Sequence, residues 1–380
     1  MPETLKIERP NMSLAPINVF VHLAYGFGEE RWSERWDLGL LKGFNERSPY
    51  GYRHAEALNC KIRYSVDCSE GLGGKFIRGL GRVVLGFDFV HAWRNREAVL
   101  AADVVWTHTE SQSLAIALLL CLYDAKSSPR LIAQTIWLMD EWRRTPGIKK
   151  WLYRSLLSRA DVLTFHSEIN AKMARDVFPS HDVRVVHFGI SKEYVRAVPE
   201  FRREGPIRVL SAGNDRHRDW PILIEAVAND ERFELEVLTK ARVDTGGAGN
   251  IRVSTPSDNK ALLAAFDSAD IVVVPLKSNM HASGITVVLE AITRGIPVIC
   301  SRQGGIDGYF SDSELRYIPE NSSTEILIAL DEFYADPEAF QARAKIAQAK
   351  VLSSGPNSFT FAKSHADISA ELVHGREDGN

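Results

Sequence analysis

The stretch ASGITVVLEAITRGIPVI, residues 282–299, decides the fold of this chain. It starts with small polar residues, continues as an amphipathic helix and passes through a Gly-Ile-Pro turn into an apolar strand. The run IVVVP before it, residues 271–275, has the composition of a buried parallel strand. Since the first N–H groups of a helix are unpaired and its dipole favours anions, this pattern predicts a phosphate site at the carboxyl edge of a parallel sheet.

Strands and helices alternate on both sides of this stretch. Apolar runs typical of buried strands occupy residues 17–23, 60–67, 102–108, 130–137, 160–167 and 183–190, and a second series begins at residue 207. Strands that alternate with helices over this length predict doubly wound parallel sheets. The polar stretch VPEFRREGP, residues 198–206, is the predicted linker between two domains.

Composition restricts the class of protein. The chain has 380 residues, 45% of them hydrophobic and 25% charged, which is typical of a soluble globular protein with room for two domains. A net charge of -3 offers no electrostatic case for nucleic-acid binding. The four cysteines lack metal-ligand spacing, and Cys121 and Cys300 are predicted to be buried thiols, which favours a reducing cytosol. The most apolar run, residues 114–123, is about half as long as a membrane-spanning helix.

The stretch at 282–299 resembles the donor-binding signature of GT-B glycosyltransferases, especially the large family 4, or group 1. The resemblance implies that Glu290 holds the ribose hydroxyls of a nucleotide sugar. It also implies that the loop before the helix contacts the diphosphate or the sugar through Ser283, Gly284, Ile285 and Thr286. A solvated helix position is the alternative for Glu290.

One position departs from the family pattern. Family 4 members usually carry a second glutamate eight residues before the first one named here, and this chain has Ala282 there. The carboxylate that contacts the donor sugar in the family is therefore missing, and the stereochemical outcome is not fixed by the motif.

The loop after the strand at residue 207 also resembles a family 4 segment. In that segment a glycine is followed by an arginine and a lysine that neutralise the leaving diphosphate. Here Gly213 matches the glycine, Arg218 best matches the lysine, and Arg216 is the nearest replacement for the arginine. Arginine suits bidentate contact with phosphate oxygens. The alternative is that these loop charges pair with Asp215 and Asp219.

A glycine loop, AYGFGEE at residues 24–30, follows the first strand. Many GT-B enzymes have such a loop facing the donor diphosphate, which makes Gly28 a candidate ligand residue. The pattern fits an ordinary tight turn equally well.

Two catalytic candidates lie at strand ends of the first domain. Asp140 follows the strand at 130–137, on the predicted cleft side, and is our candidate general base for an inverting reaction. His108 ends the preceding strand, and His166 is a further cleft histidine. Histidines at strand ends are also often structural.

The resemblance implies a GT-B fold, with two Rossmann-like doubly wound parallel-sheet domains facing a cleft. We predict an acceptor-binding domain at residues 1–198, a nucleotide-sugar-binding domain at 199–356, and a crossover helix and tail at 357–380. The last helix is expected to pack back onto the first domain.

The implied function is transfer of a sugar from a UDP- or GDP-linked donor to a saccharide acceptor. No Asp-x-Asp motif occurs in the chain, which argues against the metal-dependent glycosyltransferase fold. We therefore predict a metal-independent enzyme without a cofactor, and the resemblance favours retention at the anomeric carbon. Its predicted place is the cytoplasm.

Two clusters of cations and apolar residues, 71–87 and 142–154, predict peripheral membrane contact through the first domain. They favour a lipid-linked acceptor at the cytosolic face of the inner membrane, in bacterial polysaccharide or glycolipid synthesis. A solvated basic helix with core aromatics is the alternative for these clusters. The open alternatives for function are a soluble acceptor, a non-catalytic GT-B scaffold and a sugar-nucleotide epimerase of the same fold.

Overall fold

A computed structural model describes residues 15–201 and 204–375, which form two six-stranded parallel sheets. The first sheet has the strand order β2-β1-β3-β4-β5-β6. Its strands are β1 (Ile17–His22), β2 (Cys60–Tyr64), β3 (Val104–Thr107), β4 (Arg130–Gln134), β5 (Val162–Phe165) and β6 (Asp182–Val185). The strands β3, β4 and β5 are apolar runs with almost every side chain buried, as a parallel sheet covered on both faces requires.

The second sheet has the strand order β12-β11-β10-β7-β8-β9. Its strands are β7 (Ile207–Ala212), β8 (Phe233–Leu238), β9 (Ile251–Ser254), β10 (Ile271–Val274), β11 (Val298–Ser301) and β12 (Arg316–Ile318). The strand order changes direction between β7 and β10, which are neighbours in the sheet. Ligands of doubly wound sheets bind in the crevice beyond such a switch point.

Helices cover both sheets. Those of the first half are α1 (Glu29–Asp37), α2 (Leu72–Leu85), α3 (Phe89–Arg94), α4 (Arg96–Leu100), α5 (Glu110–Leu120), α6 (Leu138–Trp142), α7 (Gly147–Leu157) and α8 (Glu168–Val177). Those of the second half are α9 (Trp220–Val227), α10 (Asn259–Ser268), α11 (Ile285–Thr293), α12 (Ser323–Ala335), α13 (Pro337–Leu352) and α14 (Ser358–His374). Two 3₁₀ segments, Pro49–Leu58 and Ile306–Gly308, complete the described elements.

The last helix, α14, leaves the second domain and packs on the first sheet. Asn357 and Thr360 form a capping box that fixes where α14 begins. Phe361 and Ile368 are buried in the same apolar cluster as Val19 and Val21 of β1, and the indole N–H of Trp106 on β3 donates to Ser369 Oγ at 2.8 Å. The predicted GT-B architecture, with its helix crossing back, is confirmed.

Details of the fold both follow and depart from the sequence. The first sheet ends at Val185 and the second begins at Ile207, so the predicted domain boundary falls between them. Cys300 is buried as predicted, but Cys121 is exposed because it lies at the carboxyl end of α5, where the helix leaves the core. Among the described residues, no helix combines the length and apolar composition needed to cross a bilayer.

Candidate active site

The loop between β10 and α11 has the strand–loop–helix geometry that the sequence predicted, and its phosphate role stays a prediction. Gly284 has φ +89° at the start of α11, and a Cβ there would lie 2.7 Å from Val274 Cγ1. Only glycine fits this close, left-handed turn. Ser283 and Ile285 are buried beside it, whereas Thr286 in the first helical turn is exposed at the end where N–H groups have no intrahelical acceptor.

Arg218 lies directly against this helix end. Its Nε donates to the Ala212 carbonyl at 2.9 Å and its Nη1 to Ser283 Oγ at 3.1 Å. Gly213 has φ +145°, and a Cβ there would be only 2.3 Å from Arg218 Nε, so glycine lets the guanidinium pass. Burial lowers the pKa of Arg218, because its charge is removed from water.

Arg218 is a buried cation that forms no ion pair with a carboxylate of the described residues. It is only 5% exposed. Buried charges in proteins are normally paired, so the site needs an anion. The helix end and the guanidinium together are suited to phosphate oxygens.

Arg216 reaches in another direction. Its guanidinium forms an ion pair with Glu141 at the end of α6 in the first domain, and its side chain is 56% exposed. Arg216 therefore spans the interdomain cleft in this structure and does not share the Arg218 position.

Glu290 is covered by a loop of the first domain, residues 38–48, which we call the Phe44 loop. The N–H of Phe44 donates to Glu290 Oε1 at 3.2 Å. Glu290 is 4% exposed, and burial raises its pKa to about 8, against smaller opposing effects of the Phe44 N–H and the charge of Arg218. The carboxyl group predicted to hold ribose is therefore protonated at neutral pH, and one of its oxygens already accepts the Phe44 N–H.

The Phe44 loop is firmly seated on the second domain. The Gly43 N–H donates to Asn259 Oδ1 at 2.9 Å, and the Asn259 N–H donates to the Gly39 carbonyl at 3.0 Å. The ring of Phe44 packs against Phe266 with centroids 5.5 Å apart. Phe44 thus belongs to the apolar core of the second domain, although its chain segment belongs to the first.

Asp140 meets the second domain through an imidazole. His281 donates from Nδ1 to Asp140 Oδ2 at 2.7 Å and from Nε2 to Asp215 Oδ2 at 2.8 Å. The other oxygen of Asp140 accepts the Met280 N–H at 2.9 Å. Burial lowers the pKa of His281, but its two carboxylate partners outweigh burial and raise it to about 8. His281 is therefore an imidazolium that joins the two domains.

Three side chains around His281 have the chemistry of metal ligands. Asp215, His217 and His281 each offer one ligand atom, and these atoms lie within 4.8 Å of one another. His217 Nδ1 is 3.0 Å from Asp215 Oδ1, so the atoms that would bind a metal are hydrogen-bonded to each other. Burial acts to raise the pKa of Asp215, yet the hydrogen bonds from His281 and His217 hold it well below its usual value.

The structure places the other two predicted residues away from this cluster. His108 is buried, with Nδ1 3.0 Å from the Tyr52 hydroxyl, and burial holds its pKa well below the usual value. Gly28 donates its N–H to Asp67 Oδ2 at 3.3 Å, and a Cβ there would be 2.5 Å from the Ser65 carbonyl. Both residues have packing roles here, and their ligand roles stay predictions.

Sequence reasoning missed His281 and Phe44. His281 lies one residue before the quoted stretch, but a histidine in a polar loop gives no signal of its two carboxylate partners. Phe44 meets Glu290 across 246 positions of sequence. The Phe44 loop also contains Leu38, Leu40 and Leu41, so Phe44 gave no distinct signal in the sequence.

Comparison with solved structures defines the class of the fold. Sucrose-phosphate synthase from Thermosynechococcus elongatus matches with a TM-score of 0.72 and 14% identity, over 94% of this chain and 100% of that one. Anabaena HepE in complex with UDP and glucose matches with a TM-score of 0.66 and 11% identity, over 93% and 100%. A glycosyltransferase from Rickettsia africae ESF-5 matches with a TM-score of 0.64 and 11% identity, over 95% and 99%. The chain has the GT-B fold.

The second domain also matches a family model. Residues 204–350 match the family model of Glycosyl transferases group 1, which confirms the resemblance predicted from residues 282–299. The matched range contains Arg218, Gly284 and Glu290, and it excludes the first domain. No curated protein matches the chain significantly.

Proposed function

We propose that the protein is a glycosyltransferase that moves a hexosyl group from a UDP- or GDP-linked donor to a saccharide acceptor. The observation that carries this proposal is the buried guanidinium of Arg218, which has no carboxylate ion-pair partner in the described part of the chain and lies next to Ser283 and the amino end of α11. A nucleoside diphosphate supplies the anion that this arrangement lacks. The group 1 family model over the same residues supports a nucleotide sugar as the donor.

The chemistry follows from the position of these groups. As the bond to the sugar breaks, negative charge builds on the departing diphosphate. A fixed cation and a helix dipole stabilise that charge without reorganising, which is the largest contribution in many enzymes. Glu290 holds the ribose in this proposal and shares its carboxyl group with the Phe44 N–H.

A retaining, metal-independent reaction is our proposal for the mechanism. Both oxygens of Asp140 are occupied, one by the Met280 N–H and one by His281, so the carboxylate is better placed to fix the cleft than to accept a proton. Retention requires no such base, whereas inversion would require Asp140 to leave His281. Arg218 and the helix end supply the positive charge that a metal ion provides in other enzymes.

The donor base is proposed to be uracil rather than guanine. HepE, which has the same fold, was solved with UDP and with UDP-glucose. The choice is tested by thermal shift with UDP, GDP and ADP and their sugars.

The Arg218→Lys variant tests the site with its charge retained. Loss of a charge-assisted hydrogen bond costs about 1.5–3 kcal/mol, so UDP affinity should fall at least about tenfold. Arg232→Lys, an exposed arginine of the same domain, is the matched control and should bind UDP like the wild type. Absence of any nucleotide effect on the wild type, or equal affinity in Arg218→Lys, would overturn the proposal.

A lipid-linked acceptor at the cytosolic face of a membrane completes the proposal, and helix α2 supports it. The outer face of α2 carries six apolar side chains that are each more than half exposed: Leu72, Phe76, Ile77, Leu80, Val83 and Val84. The inner face holds Arg78, which pairs with Glu70 and Asp88 at 3.0 Å. A helix of a water-soluble surface has the opposite arrangement.

Helix α7 extends this apolar surface and adds charge. The Tyr153 hydroxyl is 3.5 Å from the Leu85 carbonyl, which puts α7 next to the end of α2. Trp151 is 67% exposed on α7, and Lys149 and Lys150 precede it. Cations near an anionic bilayer contribute about 1 kcal/mol each, so an acidic lipid surface complements this patch. Synthesis of polysaccharide or glycolipid is the setting that we propose.

Vesicle flotation tests the membrane contact. The double variant Phe76→Ser, Val83→Ser removes apolar contacts of about 1.5–3 kcal/mol each from a face that the fold does not use. The wild type should float with vesicles containing phosphatidylglycerol, and the double variant should stay in solution. Ile328→Ser, an exposed apolar residue of the second domain, is the control. Equal flotation of the wild type and the double variant would overturn the membrane proposal and would favour a soluble acceptor.

One observation favours a second candidate, a non-catalytic GT-B scaffold. The Phe44 loop already occupies Glu290 Oε1, and Ala282 stands where the family has a glutamate. A scaffold would bind no nucleotide, so the UDP thermal shift separates the two candidates.

A further inference from the structure

A groove at the amino end of α5 has no part in the donor site described above. It consists of two cavities of about 300 and 360 Å³, and Ser111 lines both of them. The first cavity lies beyond the carboxyl end of β1, between α3 and the last turn of α2. The second reaches Trp137 and Glu141 at the interdomain cleft. Their volumes are at the small end of the range for ligand pockets.

Two histidines in the wall of the first cavity are buried with unpaired ring nitrogens. His22 and His91 are each 1% exposed, and their rings stack with centroids 4.9 Å apart. Nδ1 of His22 makes no hydrogen bond within the described chain, and the ring nitrogens of His91 have only long polar contacts there, among them Nε2 with Asp67 Oδ1 at 4.0 Å. Burial lowers the pKa of both imidazoles, so at neutral pH each is an uncharged ring with a donor and an acceptor. Buried polar groups of this kind call for a hydrogen-bonding ligand.

The other walls of the first cavity suit a neutral polyhydroxyl compound. Gln112 accepts a hydrogen bond from Thr109 Oγ1 at 2.5 Å through Oε1, which directs its Nε2 donors elsewhere. Tyr25 and Phe27 also line this cavity; the Tyr25 ring meets that of His91 edge to face with centroids 5.5 Å apart, and the guanidinium of Arg78 lies over the Tyr25 ring. The two imidazoles are uncharged, and the charged side chains of this wall are Asp88, which pairs with Arg78, and Arg82.

The second cavity continues this chemistry toward the cleft. Trp137 is 41% exposed in its wall, and Glu110 lies beneath it. Glu110 accepts the N–H groups of Ile136 at 3.1 Å and Trp137 at 3.3 Å, which fixes the backbone next to the indole. Glu141, which pairs with Arg216 of the second domain, closes the far end. Arg144 and Lys149 line the same cavity, so the exposed indole face has hydrogen-bond donors beside it, an arrangement suited to a sugar ring.

We propose that this groove binds the saccharide of the acceptor, with one pyranose ring in the His22–His91 cavity and the next over Trp137. The inference rests on the proposed function and deepens it. Arg82 of α2 lines the first cavity and Gly86, just beyond α2, lines the second, so a lipid attached to the saccharide can leave the groove along the apolar outer face of that helix. The accepting hydroxyl then lies near Glu141, facing the donor domain.

Saturation-transfer NMR tests the groove on the full-length protein. The probes are octyl glucoside, octyl galactoside, octyl mannoside and dodecyl maltoside, each below its critical micelle concentration. At least one should receive saturation on its ring protons, and Trp137→Ala or Gln112→Leu should reduce that transfer at least fivefold. Trp93→Ala is the matched control, because Trp93 is also 41% exposed in the first domain but lines neither cavity.

The outcomes separate this inference from the donor site. Ring-proton transfer that depends on Trp137 and Gln112 supports the groove, whether or not UDP binds in a parallel thermal-shift assay. Absence of ring-proton transfer from all four probes overturns it, even when UDP binds normally. Transfer confined to alkyl protons, or transfer that survives both groove variants, also overturns it and assigns the contact to the surface of α2.

Discussion

The imidazolium of His281 should make the stability of the protein depend on pH in a defined interval. The hydrogen bonds that His281 donates to Asp140 and Asp215 raise the pKa of His281 from 6.5 to about 8 despite its burial. At about 1.4 kcal/mol for each pKa unit, the charged ring contributes about 2 kcal/mol to the free energy of unfolding. Because the folded-state pKa is the higher one, this contribution is complete below about pH 6.5 and is lost as the pH rises through about 8.

Urea unfolding of the wild type and of His281→Gln between pH 6 and pH 9, followed by tryptophan fluorescence, measures this contribution. The wild type should lose about 2 kcal/mol more than the variant over that interval. Glu290 titrates in the same range, since burial raises its pKa to about 8, and its protonated form is also favoured by the fold at lower pH. The measurement is therefore repeated with the additional substitution Glu290→Gln in the wild type and in His281→Gln, which removes the contribution of Glu290 to the pH dependence.

His374→Gln, a substitution near the end of α14, is the control and should follow the wild type. Parallel pH profiles for the wild type and His281→Gln would refute the reasoning. They would mean that the ring is neutral when folded, and that the contacts with Asp140 and Asp215 do not hold the domains through charge.

Three further outcomes follow from packing. Gly213→Ala should both lower the midpoint of thermal unfolding and weaken UDP binding, because the added Cβ would displace the Arg218 guanidinium. Unchanged UDP affinity would contradict the assigned position of Arg218. Ser369→Ala should cost about 1–3 kcal/mol in urea unfolding, since it leaves the buried indole N–H of Trp106 unpaired, and a loss below about 0.5 kcal/mol would argue against the α14 contact. In the native protein, maleimide should label Cys121 before the buried Cys60 and Cys300. Mass spectrometry of timed samples measures the three labelling rates, and equal rates would contradict the packing of the cores.

Local sequence patterns predicted much of the fold and part of the site. The turn at Gly284 and the glycine at 213 need backbone conformations that glycine alone adopts readily, so their residue type carried the information. Strands such as the one predicted at 271–275 could be recognised from continuous apolar runs, because parallel strands are buried on both faces. The predicted phosphate loop and Arg218 therefore lie together as expected.

Contacts between distant segments were beyond the sequence. Arg216 and Arg218 are two residues apart and similar in kind, yet one crosses the cleft to Glu141 and the other is buried beside Ser283. Arg218 can face inward because its guanidinium packs against the Cα of Gly213, and this contact depends on the tertiary structure. The covering of Glu290 by Phe44 likewise follows from how two domains meet, and no local pattern near either residue encodes it.

The return of α14 to the first sheet has a consequence for how the protein is made. Because Phe361 and Ser369 complete the packing around Trp106, the first domain lacks part of its interior until α14 has left the ribosome. The second domain, in contrast, has all of its strands once residue 318 has emerged. Order of synthesis and order of completion are therefore reversed, and a nascent chain exposes an unfinished apolar surface for most of its translation. During that interval chaperones would have the largest apolar surface of the nascent chain to bind.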